Sequence, residues 1–193
     1  MIERKFIQAR LKKLDVKEFL AKELEDTGFS HAEIRKTPLG TRITIYTSSP
    51  GRVIGRKGES INELTEKLKV FGIENPIIEV EEITKPELDP KLMAEYVARG
   101  LERGFTFKAV AHRALDRIKE AGARGAQIRL SGKVISKRKS TWPFQFGQIK
   151  YTGEQAKRLV REAIAVAHTK PGELGVKVKI VPPEYEEGIE EAE

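Results

Sequence analysis

The chain has 193 residues and a mass of 21.8 kDa, with 39% hydrophobic residues, 34% charged residues and a formal net charge of +7. This composition excludes a membrane-spanning bundle and a disordered chain, and the length suffices for one or two small domains with real cores. With 0 Cys and 3 His, disulfides, thiolate zinc sites and cysteine nucleophiles are excluded, and no metal site is expected.

In chain order, Asp15-Val16-Lys17-Glu18 has the form of a capping box. Val16, Phe19, Leu20 and Leu24 then recur at helical spacing, so a helix is predicted to start at Asp15 and close at Gly28. Residues 31–36 and 41–47 flank Thr37-Pro38-Leu39-Gly40 and read as a strand pair, with Ile43 and Ile45 alternating. A short segment follows Ser49-Pro50-Gly51, then Gly55-Arg56-Lys57-Gly58. A helix carries Ile61, Leu64 and Leu68 on one face and ends at Gly72. Residues 77–83 are β-rich, so residues 1–85 have the order α-β-β-(short α)-α-β.

Lys85-Pro86-Glu87-Leu88-Asp89-Pro90 marks a boundary, and Asp89 with Pro90 makes a cap and first helical position. Leu92, Tyr96, Val97 and Leu101 share one helix face. Thr106 is placed to cap a second helix that buries Val110, Ala114, Leu115 and Ile118. Residues 127–130 read as a strand. Trp142, Phe144 and Phe146 lie on one face of an extended segment, and that shared face favours core over base stacking. Residues 155–168 fit a helix or a strand, and periodicity does not decide between them. Val176, Val178 and Ile180 alternate in a last strand that stops at Pro182-Pro183.

The charge is uneven. Residues 184–193 hold six Glu and no Lys or Arg, so the remainder carries 36 basic against 23 acidic residues, a net +13. Residues 103–139 contain eleven basic side chains against only Asp116 and Glu120. Such a block attracts a polyanion and makes binding salt-dependent. The acidic end, 184–193, reads as a disordered tail.

Gly55-Arg56-Lys57-Gly58 carries the functional signal. The glycines let the backbone turn tightly and approach another backbone closely. The helix that follows aims free N–H groups and partial positive charge at an anion, and Arg56 and Lys57 add full charges. Val53, Ile54 and Ile61 are placed to floor an apolar groove for bases. This is the arrangement by which a KH domain clamps about four nucleotides of single-stranded backbone. The strand pair ahead of the loop makes the order type II.

Residues 49–59, Ser-Pro-Gly-Arg-Val-Ile-Gly-Arg-Lys-Gly-Glu, resemble the signature of the universal small-subunit ribosomal protein S-three family. So do Lys85-Pro86-Glu87-Leu88-Asp89-Pro90-Lys91-Leu92, Leu101-Glu102-Arg103, Gly122-Ala123-Arg124-Gly125, Leu130-Ser131-Gly132-Lys133 and Leu174-Gly175-Val176-Lys177-Val178-Lys179-Ile180. The resemblance covers most of residues 1–183, and the short length and Val-Lys-Ile-Val-Pro-Pro ending look archaeal. It implies an α+β protein: a type II KH domain over residues 1–85, then a small α/β domain over 86–183 with two helices packed on a mainly antiparallel sheet. It further implies placement in the head of the small subunit. The implied partners are small-subunit rRNA, neighbouring head proteins and mRNA at the entry channel, on a cytoplasmic ribosome. The family's basic residues at the channel mouth correspond to Phe107-Lys108-Ala109-Val110-Ala111-His112-Arg113. Lys108 keeps its charge there, while Ala109 and His112 depart from the pattern.

The expected RNA-binding residues are Arg52, Val53, Ile54, Gly55, Arg56, Lys57 and Gly58 in the first domain. In the second they are Lys108, Arg113, Lys133, Lys137, Arg138 and Lys139. No catalytic residue, cofactor, small-molecule substrate or membrane partner is expected. A phosphate-binding P-loop fails because Arg56 stands where the second glycine is needed, five positions after Gly51. The start of the chain lacks the apolar core of a secretory signal, and no apolar run reaches the roughly 18 residues of a membrane span. The alternative to a ribosomal component is a free-standing KH regulator of mRNA, which shares the loop but does not need the later signatures.

Overall fold

The computed structural model describes residues 2–37, 40–70, 73, 75–134 and 138–183. They divide between Thr84 and Lys85 into two compact units, each with its own core.

The first unit opens with helix α1, Ile2–Glu23. The expected start at Asp15 is corrected: Asp15 is an exposed mid-helix residue. Residues 2–14 hold no Gly or Pro and include three Lys, two Arg and two Leu, all good helix formers, so nothing interrupts helix propagation ahead of the Asp. Val16, Leu20 and Leu24 are buried as their spacing implied. Strands β1 (Phe29–Thr37) and β2 (Gly40–Thr47) pair antiparallel, with Ile34 opposite Ile43. Strand β3 (Pro76–Glu82) pairs with β2 in parallel, giving the sheet order β1-β2-β3. Parallel neighbours need a crossover connection. Here it consists of α2 (Pro50–Ile54), a 3-10 turn over Arg56–Gly58, and α3 (Glu59–Val70). The functional loop therefore sits inside the crossover. Ile43 and Ile45 meet Val53, Leu64, Leu68 and Leu20 in the core beneath it. Gly72, the expected helix end, lies outside the described residues.

The second unit begins with helix α4 (Pro90–Glu102), where the Asp89 carboxylate accepts a hydrogen bond from the Lys91 N–H at 2.9 Å. Helix α5 spans Phe107–Glu120. Thr106 occupies its N-cap position, but its side chain makes no capping hydrogen bond, a correction to the expected cap. Strands β4 (Gly125–Gly132) and β5 (Ser140–Gly147) are followed by a short helix, α6 (Glu154–Leu159), then β6 (Arg161–Thr169) and β7 (Gly172–Val181). All pairings are antiparallel, in the order β5-β4-β7-β6. Residues 155–168 are thus divided between helix and strand at Val160. Ala163, Ala165 and Ala167 sit opposite the buried Val178, Val176 and Leu174, and these small side chains allow α4 to lie close over β6.

Trp142, Phe144 and Phe146 are half-buried on the helix side of β5. Phe107 packs against Trp142 and Phe144 with ring centroids 5.6 and 6.3 Å apart. Among the described residues no helix is long and apolar enough to cross a membrane. The acidic residues 184–193 lie outside the described residues.

Ile128 is wholly buried in β4 between β5 and β7. Its replacement by Ala is expected to destabilise the second unit by about 3 kcal/mol, through lost apolar burial and the cavity left behind. A lowered urea midpoint for that unit's unfolding checks it.

Glu162 on β6 joins Lys177 and Lys179 of β7 at 3.0 and 3.3 Å. Hydrogen bonds from Lys177 first and then Lys179 hold its carboxyl below the usual range. A folded pKa below the unfolded one adds stability above the unfolded value, and that stability is lost as pH falls through the folded value. In acid titrations from pH 6 downwards, the wild-type chain should lose stability that the Glu162→Gln variant never had. Parallel titration curves would contradict this.

Candidate nucleic-acid interface

The loop is built on two different demands for glycine. Gly55 has φ 73° and ψ −178°, a region that side chains essentially do not enter. A Cβ placed there would also lie 2.8 Å from the Ser60 Cβ and 3.2 Å from the Ser60 backbone nitrogen. Its N–H donates to the Gly51 carbonyl at 3.1 Å, which ties the loop back to α2. Gly58 has φ 79° but no atom within 4 Å of such a Cβ. Between them, Lys57 adopts φ 54° and ψ 22°, a left-handed conformation that costs a non-glycine residue about 1–2 kcal/mol.

The turn holds the Arg56 and Lys57 side chains in solvent. The Glu59 N–H, first in α3, donates to the Arg56 carbonyl, and the partially positive N-terminal end of that helix stands beside the two cations. Arg52, on α2, is also exposed. Val53 departs from its expected role: at 1% exposure it is part of the core beneath the loop, so its side chain supports the clamp. Ile54, at 40% exposure, and the half-buried Ile61 supply the apolar surface that bases can cover.

On the other flank of the loop an open depression of about 610 Å³ is lined by Arg56, Lys57, Glu59, Asn62, Glu63 and Glu66. Its three carboxylates repel phosphate. The negative potential of the turn is therefore concentrated on this flank, away from Ile54 and Ile61.

In the second unit, the pairing of Gly132 with Ser140 brings Lys133 and Lys139 to the same end of the β4–β5 ladder. Arg138 is exposed beside Lys139, and Lys137 lies outside the described residues. Phe107 against Trp142 puts the start of α5, with exposed Lys108, near this strand end. His112 and Arg113 are exposed one turn further on, and the His112 ring meets Phe144 edge-on at 5.3 Å. The expected cations of this unit that are described, Lys108, Arg113, Lys133, Arg138 and Lys139, are therefore gathered around one end of the sheet and the first half of α5.

One cationic group escaped the sequence reading. Arg10, Lys13 and Lys17 of α1 line an open groove of about 300 Å³ with Leu14 and Ile34. The signal was their 3- and 4-residue spacing, which is legible only when the helix is extended ahead of Asp15. Among the described residues no group of three His, Asp or Glu side chains is arranged to hold a metal ion.

Residues 15–88 match the family model of the KH domain, and residues 97–180 match that of ribosomal protein S3, C-terminal domain. The small ribosomal subunit protein uS3 of Archaeoglobus fulgidus is 49% identical over 183 residues, spanning 95% of this chain and 80% of that protein. The protein of the same name from Methanocaldococcus jannaschii is 48% identical over 185 residues, spanning 95% and 89%. That from Thermoplasma volcanium is 41% identical over 186 residues, spanning 96% and 83%. These names describe a component of the small ribosomal subunit. With a KH fold carrying a cationic Gly-x-x-Gly turn, an S3 C-terminal fold following it in the chain, and such identity across nearly its whole length, this chain belongs to the ribosomal protein S3 family.

Proposed function

We propose that the chain is a structural constituent of the small ribosomal subunit of cytoplasmic ribosomes. In this reading it holds small-subunit rRNA in the head, contacts neighbouring ribosomal proteins and lines the mRNA entry channel. The observation that carries it is the 55–58 turn, which presents two exposed cations at the start of α3, on a chain whose second unit has the S3 C-terminal fold. The proposed RNA-contacting residues of the turn are Arg52, Ile54, Arg56 and Lys57, held by Gly55 and Gly58 over Val53. Those of the second unit are Lys108, Arg113, Lys133, Lys137, Arg138 and Lys139. Such contacts with phosphate position the nucleic acid rather than read its sequence.

The test is sedimentation of the tagged chain from cells in high salt. It should travel with small subunits. Recovery only with free RNA would favour a free-standing regulator of mRNA. In binding assays on the purified chain, replacing Lys133, Arg138 and Lys139 by Ala should reduce the salt slope by about 0.7–0.9 per lost phosphate contact. An unchanged slope would place those side chains away from RNA.

A further inference from the structure

The sheet of the second unit has two edges, and they are guarded differently. β5 carries Pro143 at its centre, which has no N–H to offer another strand. β6 carries no proline, and from residue 163 to 167 it reads Ala-Ile-Ala-Val-Ala without a charge. Among the described residues β6 pairs only with β7.

Its outer backbone can be traced from one bond. The His168 N–H donates to the Glu102 carboxylate at 2.9 Å rather than to β7. In an antiparallel ladder alternate residues turn both backbone groups to the same side. Ile164 and Val166 therefore turn theirs outward with His168, and no acceptor or donor for them exists among the described residues. Their side chains lie on the sheet face away from α4, 66% and 48% exposed.

We propose that the β6 edge is a docking strand, completed in the assembled particle by one extended segment of another protein that adds beside it as a fifth strand. The segment is uncharged over about five residues. It carries apolar side chains at alternate positions to cover Ile164 and Val166, and small ones on the α4 side. A second copy of this chain does not fit. α4 lies close over β6, and its last residue, Glu102, reaches the outer backbone. Two copies joined edge to edge about a two-fold axis would bring both α4 helices onto one face about 5 Å apart, where packed helices need 8–10 Å. RNA fits the edge less well than an extended peptide: the outward groups of Ile164 and Val166 are backbone N–H and C=O flanked by apolar side chains, and of the cations on this face Lys177 and Lys179 pair with Glu162 while Arg129 lies two strands away on β4.

The inference rests on residence in the particle but not on the RNA contacts of the Gly55–Gly58 turn. A photoreactive benzophenone amino acid is placed at position 164 of the full chain, and small subunits carrying it are purified and irradiated. A cross-link to one protein, mapped to an extended stretch, is expected. Val166→Pro, which deletes an outward N–H, should cut its yield at least about tenfold, and Val166→Thr should preserve it. A cross-link to RNA, no cross-link, or equal yield in the Pro variant overturns the proposal. If a variant fails to enter particles, amide exchange in the wild type decides: Ile164 and Val166 should exchange at least about tenfold more slowly in the particle than in the free chain. Equal rates overturn the docking strand. Failure of the wild-type chain to enter small subunits at all overturns the ribosomal reading instead.

Discussion

Replacing Arg56 and Lys57 together by Asp is expected to weaken single-stranded RNA binding by the purified chain about a hundredfold at moderate salt. Both side chains are exposed at the tip of the 55–58 turn and stand beside the N-terminal end of α3. A charge-assisted contact to phosphate contributes about 1.5–3 kcal/mol, so losing two reaches that size. The new carboxylates would also continue the acidic flank of Glu59, Glu63 and Glu66 across the tip. The slope of log affinity against log salt should fall by about 1.4, the single-strand value for two counterions. A filter-binding titration at several salt concentrations reads both quantities. Equal affinity and slope in the variant would defeat the KH clamp as the RNA-binding element. The fold should be untouched, because neither side chain contributes to the core.

Gly55→Ala is expected to abolish tight RNA binding and to destabilise the first unit by about 2–4 kcal/mol, whereas Gly58→Ala should cost only about 1 kcal/mol. At Gly55 the backbone conformation itself excludes a side chain, and Ser60 lies too close for a Cβ to be admitted without displacing α3. That displacement moves the helix start away from the two cations, so stability and binding fall together. At Gly58 the conformation is left-handed but the space is open. A non-glycine side chain already tolerates such a conformation next door at Lys57. Urea unfolding and RNA titration of the two variants should therefore separate sharply. Equal losses at both positions would show that the turn is held by something other than the approach to Ser60.

Much of the architecture was legible from local signals. The apolar spacing of Val16, Leu20 and Leu24, the alternation of Ile43 with Ile45, and the Asp89-Pro90 start are each set by interactions within a few residues. The readings that went wrong or stayed open came where two local signals were both permissible. Asp15 could cap a helix or sit inside one, and nothing in the preceding residues forbade continuation. Residues 155–168 satisfied both periods. The choice went to strand after Val160 because β7 offered an unpaired edge and α4 needed a small-residue floor.

The sequence by itself determined that the chain is basic, has no cysteine, and carries two cations between glycines, with the order of elements that makes such a turn a clamp. These depend on residue identity and on neighbours along the chain. Only the tertiary structure decided that Val53 supports the clamp from below, and that carboxylates of α3 close one of its flanks. The same holds for the meeting of Lys133 and Lys139 at one strand end and for the open edge of β6. Each of those depends on which distant segments pack or pair, and spacing along one chain does not encode a distance between two elements until a core brings them together.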